Sequence, residues 1–353
     1  MLDASPSVSV AVAMSGGVDS TATALLLKRR GYVVHGFHMK LHQGAEHTWN
    51  LAVRAAQEID VPLESVDLSQ DFEKTVVRYF VSEYVAGRTP SPCPRCNRFI
   101  KMKLLFDHVT RKGCLYLATG HYARTIRNDK DVLLLKAIDQ HKDQSYFLFL
   151  LTKNILRRTM FPLGTRTKEE VRQLLRREGI SVAERLESQE LCFIPNRDYR
   201  KFLAERGLRG KPGPILDRKG RLLGEHKGLL SYTVGQRRGI GVCGPKPLYV
   251  LRIDVAQNAL IVGTKEETFS RVVHIGSPYV LQTDKLREGA RCEVKIRSTA
   301  RPARCTVLSV DDSKILIEFD EPQSSVAPGQ AAVLYDGEVV CGGGWILDPR
   351  EDE

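Results

Sequence analysis

Aromatic residues make up only 7% of the 353-residue chain, which argues against a surface that stacks the successive bases of a single strand. No uncharged apolar run is long enough to cross a bilayer, and the stretch MLDASPSVSVAVAM has no basic region of the kind that opens a secretory signal. The expectation is a protein without a membrane partner that stays in the cytoplasm. There is no internal repeat and no low-complexity segment. Eight cysteines occur, but only one C-x-x-C. With no signal segment this opposes a disulfide framework and favours reduced thiols with catalytic or metal-binding uses. A structural zinc site falls behind for want of a second C-x-x-C or a nearby Cys/His pair.

What is present is positive charge. The formal net charge is +11. Arg88, Arg95, Arg98, Lys101 and Lys103 follow one another with no acidic residue between, and Arg291, Lys295, Arg297, Arg301 and Arg304 with only Glu293. Clusters of this kind suit a phosphate backbone. Together with the low aromatic content they point to a folded RNA.

The first part of the chain alternates apolar runs with helical stretches: VSVAVAM, TATALLLKRRG, YVVHGFHM, WNLAVRAAQEI, LESVDL and CLYLATGH. This alternation predicts an α/β fold with a doubly wound parallel sheet. A helical, basic extension over 148–177 completes an expected first domain over residues 1–206. After Gly207 the stretch GLRGKPGPILDRKGRLLGEHKG brings Gly, Pro and charge, and short alternating strands follow. These predict a small β-rich central domain over 207–268 and a C-terminal β-barrel over 269–353.

Between the first strand and the first helix lies SGGVDS, Ser15 to Ser20. Its glycines permit a tight turn and close backbone approach, and helix N-terminal amides favour an anion. No Lys-Ser/Thr pair follows, so this is not a Walker A loop. A plain capped turn is the bland alternative; the position after the first strand of a β-α-β pattern favours a phosphate cradle. The second feature is SPCPRCNRF, with Cys93 and Cys96 two residues apart ahead of a basic helix.

SGGVDS resembles the signature of the PP-loop ATP pyrophosphatases. The strings GRTPSPCPRCN, GHYAR, KDQSYFLF, LCFI, GEHKGLLSYTVGQRRGIG and APGQAAVLYDGEVVCGGG, in this order, resemble the tRNA-specific 2-thiouridylases over nearly the whole chain. The resemblance implies an ATP-dependent tRNA sulfurtransferase that replaces the C2 oxygen of the wobble uridine, in the anticodon stem-loop, with sulfur. It places ATP and Mg2+ against Ala13, Met14, Ser15, Gly16, Gly17, Val18, Asp19, Ser20, Met39 and Gly120. Asp19 and Ser20 would serve the pyrophosphate and its magnesium. Ser91, Pro92 and Cys93 fall where the family contacts the target base, and His121, Lys142, Asp143, Gln144, Arg297, Ser298 and Gln330 at its tRNA-contacting positions. On the residues alone, Met39 reads equally as core, His121 as a structural histidine and Lys142 as a solvated charge.

The resemblance also assigns the thiols. Cys96 and Cys192 match the family's two reactive cysteines, one carrying a persulfide and the other assisting transfer through a disulfide. Arg95, Arg98 and Lys101 are expected to favour the thiolate. Cys93 is a departure, since many relatives have aspartate there. Three thiols in this pattern suit a 4Fe-4S cluster with Cys93, Cys96 and Cys192 as metal ligands and one iron left for sulfide; the cluster is the leading expectation, the persulfide pair the alternative, and an inert Cys93 standing in for aspartate a further one. The sulfur donor is expected to be a cysteine-desulfurase product or inorganic sulfide. A second departure is the short LHQGAEHTWN after Lys40, where relatives have a longer acidic stretch. Competing readings are a PP-loop ligase, which needs no cysteine, and a non-catalytic RNA-binding iron-sulfur protein.

Overall fold

The computed structural model describes residues 8–42, 46–185, 191–194, 196 and 198–348. The beginning of the N-terminal stretch, part of the short segment after Lys40, and Gln189, Glu190 and Pro195 of the LCFI region lie outside them. Two compact units are present: residues 1–76, 93–189 and 338–340 form the first, and 77–92, 190–337 and 341–353 the second.

The first unit is built on a parallel sheet of β1 (Ser9–Ala13), β2 (Val33–Lys40), β3 (Leu63–Asp67), β4 (Tyr116–Ala118) and β7 (Thr159–Met160), in the order β3-β2-β1-β4-β7. Helices α1 (Val18–Arg29) and α2 (Glu46–Glu58) make the first crossovers. Val10, Ala11 and Val12 of β1 are fully buried, as a central parallel strand requires. Strand order reverses between β1 and β4. At such a switch point the loops after the strand ends open a crevice for a ligand, and both the SGGVDS loop and Gly120 emerge there. An antiparallel hairpin of β5 (Ala123–Arg127) and β6 (Val132–Lys136) follows. Its turn is held by Asn128 Oδ1, which accepts from the amides of Lys130 and Asp131 at 3.0 and 2.7 Å.

The helix Lys168–Arg177 begins with a capping box: Thr167 Oγ1 accepts from the Glu170 amide at 3.2 Å, and Glu170 Oε2 from the Thr167 amide at 2.7 Å. Loss of such a cap costs about 1 kcal/mol. The cap fixes Lys168 as the first residue of that helix.

In the second unit, the helix Arg78–Val85 lays Phe80 against Phe193 and Phe202, with ring centres 5.2 and 6.0 Å apart, and Tyr84 stacks on Tyr199 at 4.6 Å. A four-stranded mixed sheet takes β8 (Gly213–Asp217), β9 (Leu222–His226), β10 (Tyr249–Asp254) and β11 (Ala259–Gly263) in the order β10-β11-β8-β9, with β11 parallel to β8. The last strands are β12 (Phe269–Val280), β13 (Arg291–Lys295), β14 (Ala303–Val310), β15 (Lys314–Ser324), β16 (Ala331–Asp336) and β17 (Val339–Ile346). They run β12-β15-β14-β13-β16-β17, and pairing of β12 with β17 closes an antiparallel barrel. Val273, Ile275, Val294, Val307, Ile317 and Leu334 fill it. The expected parallel sheet, β-rich middle and C-terminal barrel are all present.

Candidate active site

The SGGVDS loop is rigid by construction. Gly16 has a φ of +73°, and a Cβ there would collide with the backbone of Leu51 and Ala52 in α2, so only glycine fits. Ser20 Oγ accepts from the Ser15 amide at 3.2 Å and donates to the Gly17 carbonyl at 3.1 Å. The N-cap of α1 is Gly17, which has no side chain to satisfy the first-turn amides. An uncapped helix N-terminus at a sheet switch point is suited to an oxyanion. Gly120, just after β4, packs on the same turn: a Cβ would lie 2.8 Å from the Asp19 carbonyl carbon and 3.0 Å from the Ser20 nitrogen. Met14 is buried and Met39, at the end of β2, half-buried. Ala13 ends β1 and Val18 opens α1.

Two residues that sequence reading missed complete this loop. Asp19 Oδ1 accepts from Lys168 Nζ at 2.7 Å and from the Tyr122 hydroxyl at 3.0 Å. Lys168 is buried, and its ammonium lies 5.8 Å from the Tyr122 ring centre. Asp19 is thus held in place by the protein itself. The sequence did carry a signal. A cation at the first position of a helix opposes the helix dipole, so a lysine right after a capping threonine asks for an anion nearby.

Cys93 and Cys96 lie in the first turns of a continuous helical stretch over 92–111. Its middle, Cys96–Leu105, is wound as a π-helix, a form that clusters at functional sites. Residues three apart share a helix face; Cys93 is half-buried and Cys96 buried. Asn97 Nδ2 donates to the Phe147 carbonyl at 3.0 Å and Arg98 Nη1 to the Leu150 carbonyl at 2.6 Å. These bonds tie the cysteine motif to the KDQSYFLF motif and direct the Arg98 guanidinium at a backbone carbonyl. Lys101 acts on His121: burial first, then the Lys101 charge, hold that imidazole well below its ordinary range. His121 Nδ1 is 2.8 Å from Thr119 Oγ1. A neutral, hydrogen-bonded imidazole sits at the end of β4.

Other expected tRNA-contacting residues hold backbone. Asp143 accepts from the Ala137 amide at 3.0 Å and the Ser145 hydroxyl at 2.9 Å. Gln144 Oε1 accepts from the Tyr122 amide at 3.0 Å. Lys142 is half-buried beside them.

In the second unit, Gln330 Nε2 donates to the carbonyls of Thr89 and Pro90 at 3.1 and 3.3 Å, and the Thr89 amide to the Pro328 carbonyl at 2.8 Å. The APGQ turn thus grips the backbone entering Ser91 and Pro92, both buried. Phe193 and Ile194 are buried while Cys192 is exposed, so its neighbours anchor the turn that presents it. Arg297 is exposed and Ser298 half-buried on the β13–β14 connection.

A cluster on Cys93, Cys96 and Cys192 requires three converging thiolates. Among the described residues no group of three or more His, Cys, Asp or Glu side chains is placed to hold a metal ion. Cys93 and Cys96 belong to the first unit and Cys192 to the second. No described helix is long and apolar enough to cross a membrane.

Comparison with known proteins bears on the chain as a whole. The chain matches a tRNA methyl transferase HUP domain over residues 8–196, a tRNA methyl transferase PRC-barrel domain over 200–264 and an aminomethyltransferase beta-barrel domain over 272–346. It is 42% identical to the tRNA-specific 2-thiouridylase MnmA of Geotalea uraniireducens, over 96% of this chain and 94% of that protein. It is 44% identical to that of Syntrophotalea carbinolica, over 96% and 98%. The solved U34-tRNA thiolase NcsA from Methanococcus maripaludis is 19% identical, with a TM-score of 0.38 over 56% of this chain and 65% of that one, a likeness too slight to bear on the chemistry. With a family domain over more than half its length and such relatives end to end, the chain belongs to the tRNA-specific 2-thiouridylases.

Proposed function

We propose that the protein uses ATP to adenylate the C2 oxygen of the wobble uridine in a tRNA and then exchanges that oxygen for sulfur. The C2 oxygen is conjugated with two ring nitrogens and does not leave unaided. Once AMP is attached, sulfur attacks C2 and AMP departs carrying the oxygen, so one difficult step becomes two easier ones. The observation that carries this reading is the glycine cradle at the N-terminus of α1, with Asp19 fixed by Lys168 and Tyr122. That cradle binds phosphates and, with magnesium, supports departure of pyrophosphate. The basic surface residues, Arg297 among them, and the neutral His121 face the RNA.

Sulfur is carried by Cys96 and Cys192. The terminal sulfur of a persulfide on one bonds to C2 as AMP leaves. The other thiolate then attacks the sulfur-bearing cysteine, releasing 2-thiouridine and leaving a disulfide. The Cys93-x-x-Cys96 pair on one helix face supports a second form, in which these two and Cys192 hold a 4Fe-4S cluster.

The test is mass spectrometry of digested tRNA after incubation of reduced protein with ATP, magnesium, a thiol reductant to reopen the disulfide, and a sulfur source: the persulfide of a cysteine desulfurase for the persulfide form, or inorganic sulfide for the cluster form. 2-Thiouridine should form with wild type. Cys96→Ala and Cys192→Ala should lose it while still releasing pyrophosphate in the presence of tRNA. Thiolation that survives both substitutions overturns the reading and leaves a ligase; tRNA binding without AMP production leaves a binding protein. Full thiolation by iron-free protein rejects the cluster, whereas strict dependence on iron and on Cys93 establishes it.

A further inference from the structure

Two thiols with no part in that reaction face each other in the barrel. Cys292 of β13 and Cys305 of β14 are directly opposite in the antiparallel register, and their sulfurs are 3.4 Å apart. Opposite residues on paired strands have Cβ atoms about 4.5–5.5 Å apart, near the 3.5–4.5 Å of a disulfide, so the strands need only a small adjustment to join. A register shift against β15 at Val307/Ser309 bends β14 a few residues further on. Cys305 is fully buried, whereas Cys292 is half-buried and lines an open depression with Arg291, Glu293, Arg304 and Asp336. The Cys305 thiol and then the Arg291 guanidinium favour the Cys292 thiolate, while the same pairing and burial push the Cys305 thiol up. Cys341, the third thiol nearby, is buried and pushed up to about 12.

We infer that Cys292 and Cys305 form a reversible dithiol–disulfide site in which Cys292 attacks a peroxide-class oxidant and Cys305 resolves the product. The Cys292 thiolate takes one oxygen from hydrogen peroxide to give a sulfenic acid and releases hydroxide. The Cys305 thiol then attacks that sulfur, the S–O bond breaks, and water leaves as the disulfide forms. Two electrons pass from the thiols to the peroxide. A thiol reductant restores the pair. The bond would staple β13 to β14 at the base of the connection that carries Arg297.

Trypsin cleaves after Arg291, Lys295, Arg304 and Lys314, so the two cysteines fall in separate peptides, 292–295 and 305–314. Full-length protein treated with hydrogen peroxide should lose both alkylated peptides and yield them cross-linked, two hydrogens lighter than their sum, and a reductant should reverse this. In Cys305→Ser, dimedone should label Cys292; in Cys292→Ser, Cys305 should stay unlabelled. If both cysteines of the wild type remain alkylatable after peroxide, or if Cys305 takes the label, the inference is overturned. Wild-type mapping decides the matter even where a variant fails to fold, and none of it depends on thiolation activity.

Discussion

Lys168 donates its ammonium to the Asp19 carboxylate at 2.7 Å, joining the first residue of one helix to the first turn of another. A charge-assisted bond of this type is worth about 1.5–3 kcal/mol when buried. Asp19 is one-third exposed, and screening lowers the figure to about 1–2 kcal/mol. Lys168→Met should lower stability by that amount in urea denaturation and weaken ATP binding about ten-fold by calorimetry. Unchanged ATP affinity would confine Lys168 to folding.

Gly16→Ala places a methyl group against the α2 backbone at a φ of +73°. Strain and overpacking together should cost about 2–4 kcal/mol. ATP-dependent pyrophosphate release should vanish. Gly120→Ala crowds the same turn from the other side and should show the milder form of this defect.

His121 binds no proton in the folded protein at pH values where the unfolded chain already does, because burial and Lys101 hold its imidazole well below 6.5. Stability therefore rises with pH through the window beneath 6.5, is complete above it, and is lost as pH falls toward the folded value. His38, lowered by burial against the opposing effect of the Met14 carbonyl, acts in the same sense. Thermal denaturation between pH 5 and pH 7, roughly the range where histidine titrates, should show a smaller pH dependence for His121→Gln than for wild type.

Gln330 holds the carbonyls of Thr89 and Pro90. Gln330→Glu keeps the size but removes the donor and sets a carboxylate against two carbonyls. Thiolation should fall by an order of magnitude or more, about 1–2 kcal/mol, while tRNA affinity in filter binding stays within a few-fold. An equal loss in affinity and turnover would assign Gln330 to the RNA instead.

The sheet and the barrel were readable because their apolar periods differ: continuous runs such as VSVAVAM in parallel strands, alternation such as KILIEF in the barrel. The hairpin β5–β6 and the two-residue β7 were missed. The first has its turn fixed by Asn128 side-chain bonds, and the second is too short for any period. SGGVDS and C-x-x-C stood out through residue types alone. Tyr122 and Lys168 did not, since their value lies in a contact with Asp19 across more than a hundred residues of chain. Cys114 lies between the turn at 112–113 and β4, and its burial agrees with a plain packing role. The pairing of Cys292 with Cys305 became visible only from strand register.

The abutment of Leu51 and Ala52 on Gly16 has a thermodynamic corollary. The turn takes its form from the seating of a neighbouring helix, so under the proposed function an incoming nucleotide meets a finished mould. Little of its interaction energy is then spent on ordering backbone, and more is left for discriminating between nucleotides and for the strain of the adenylyl transfer itself.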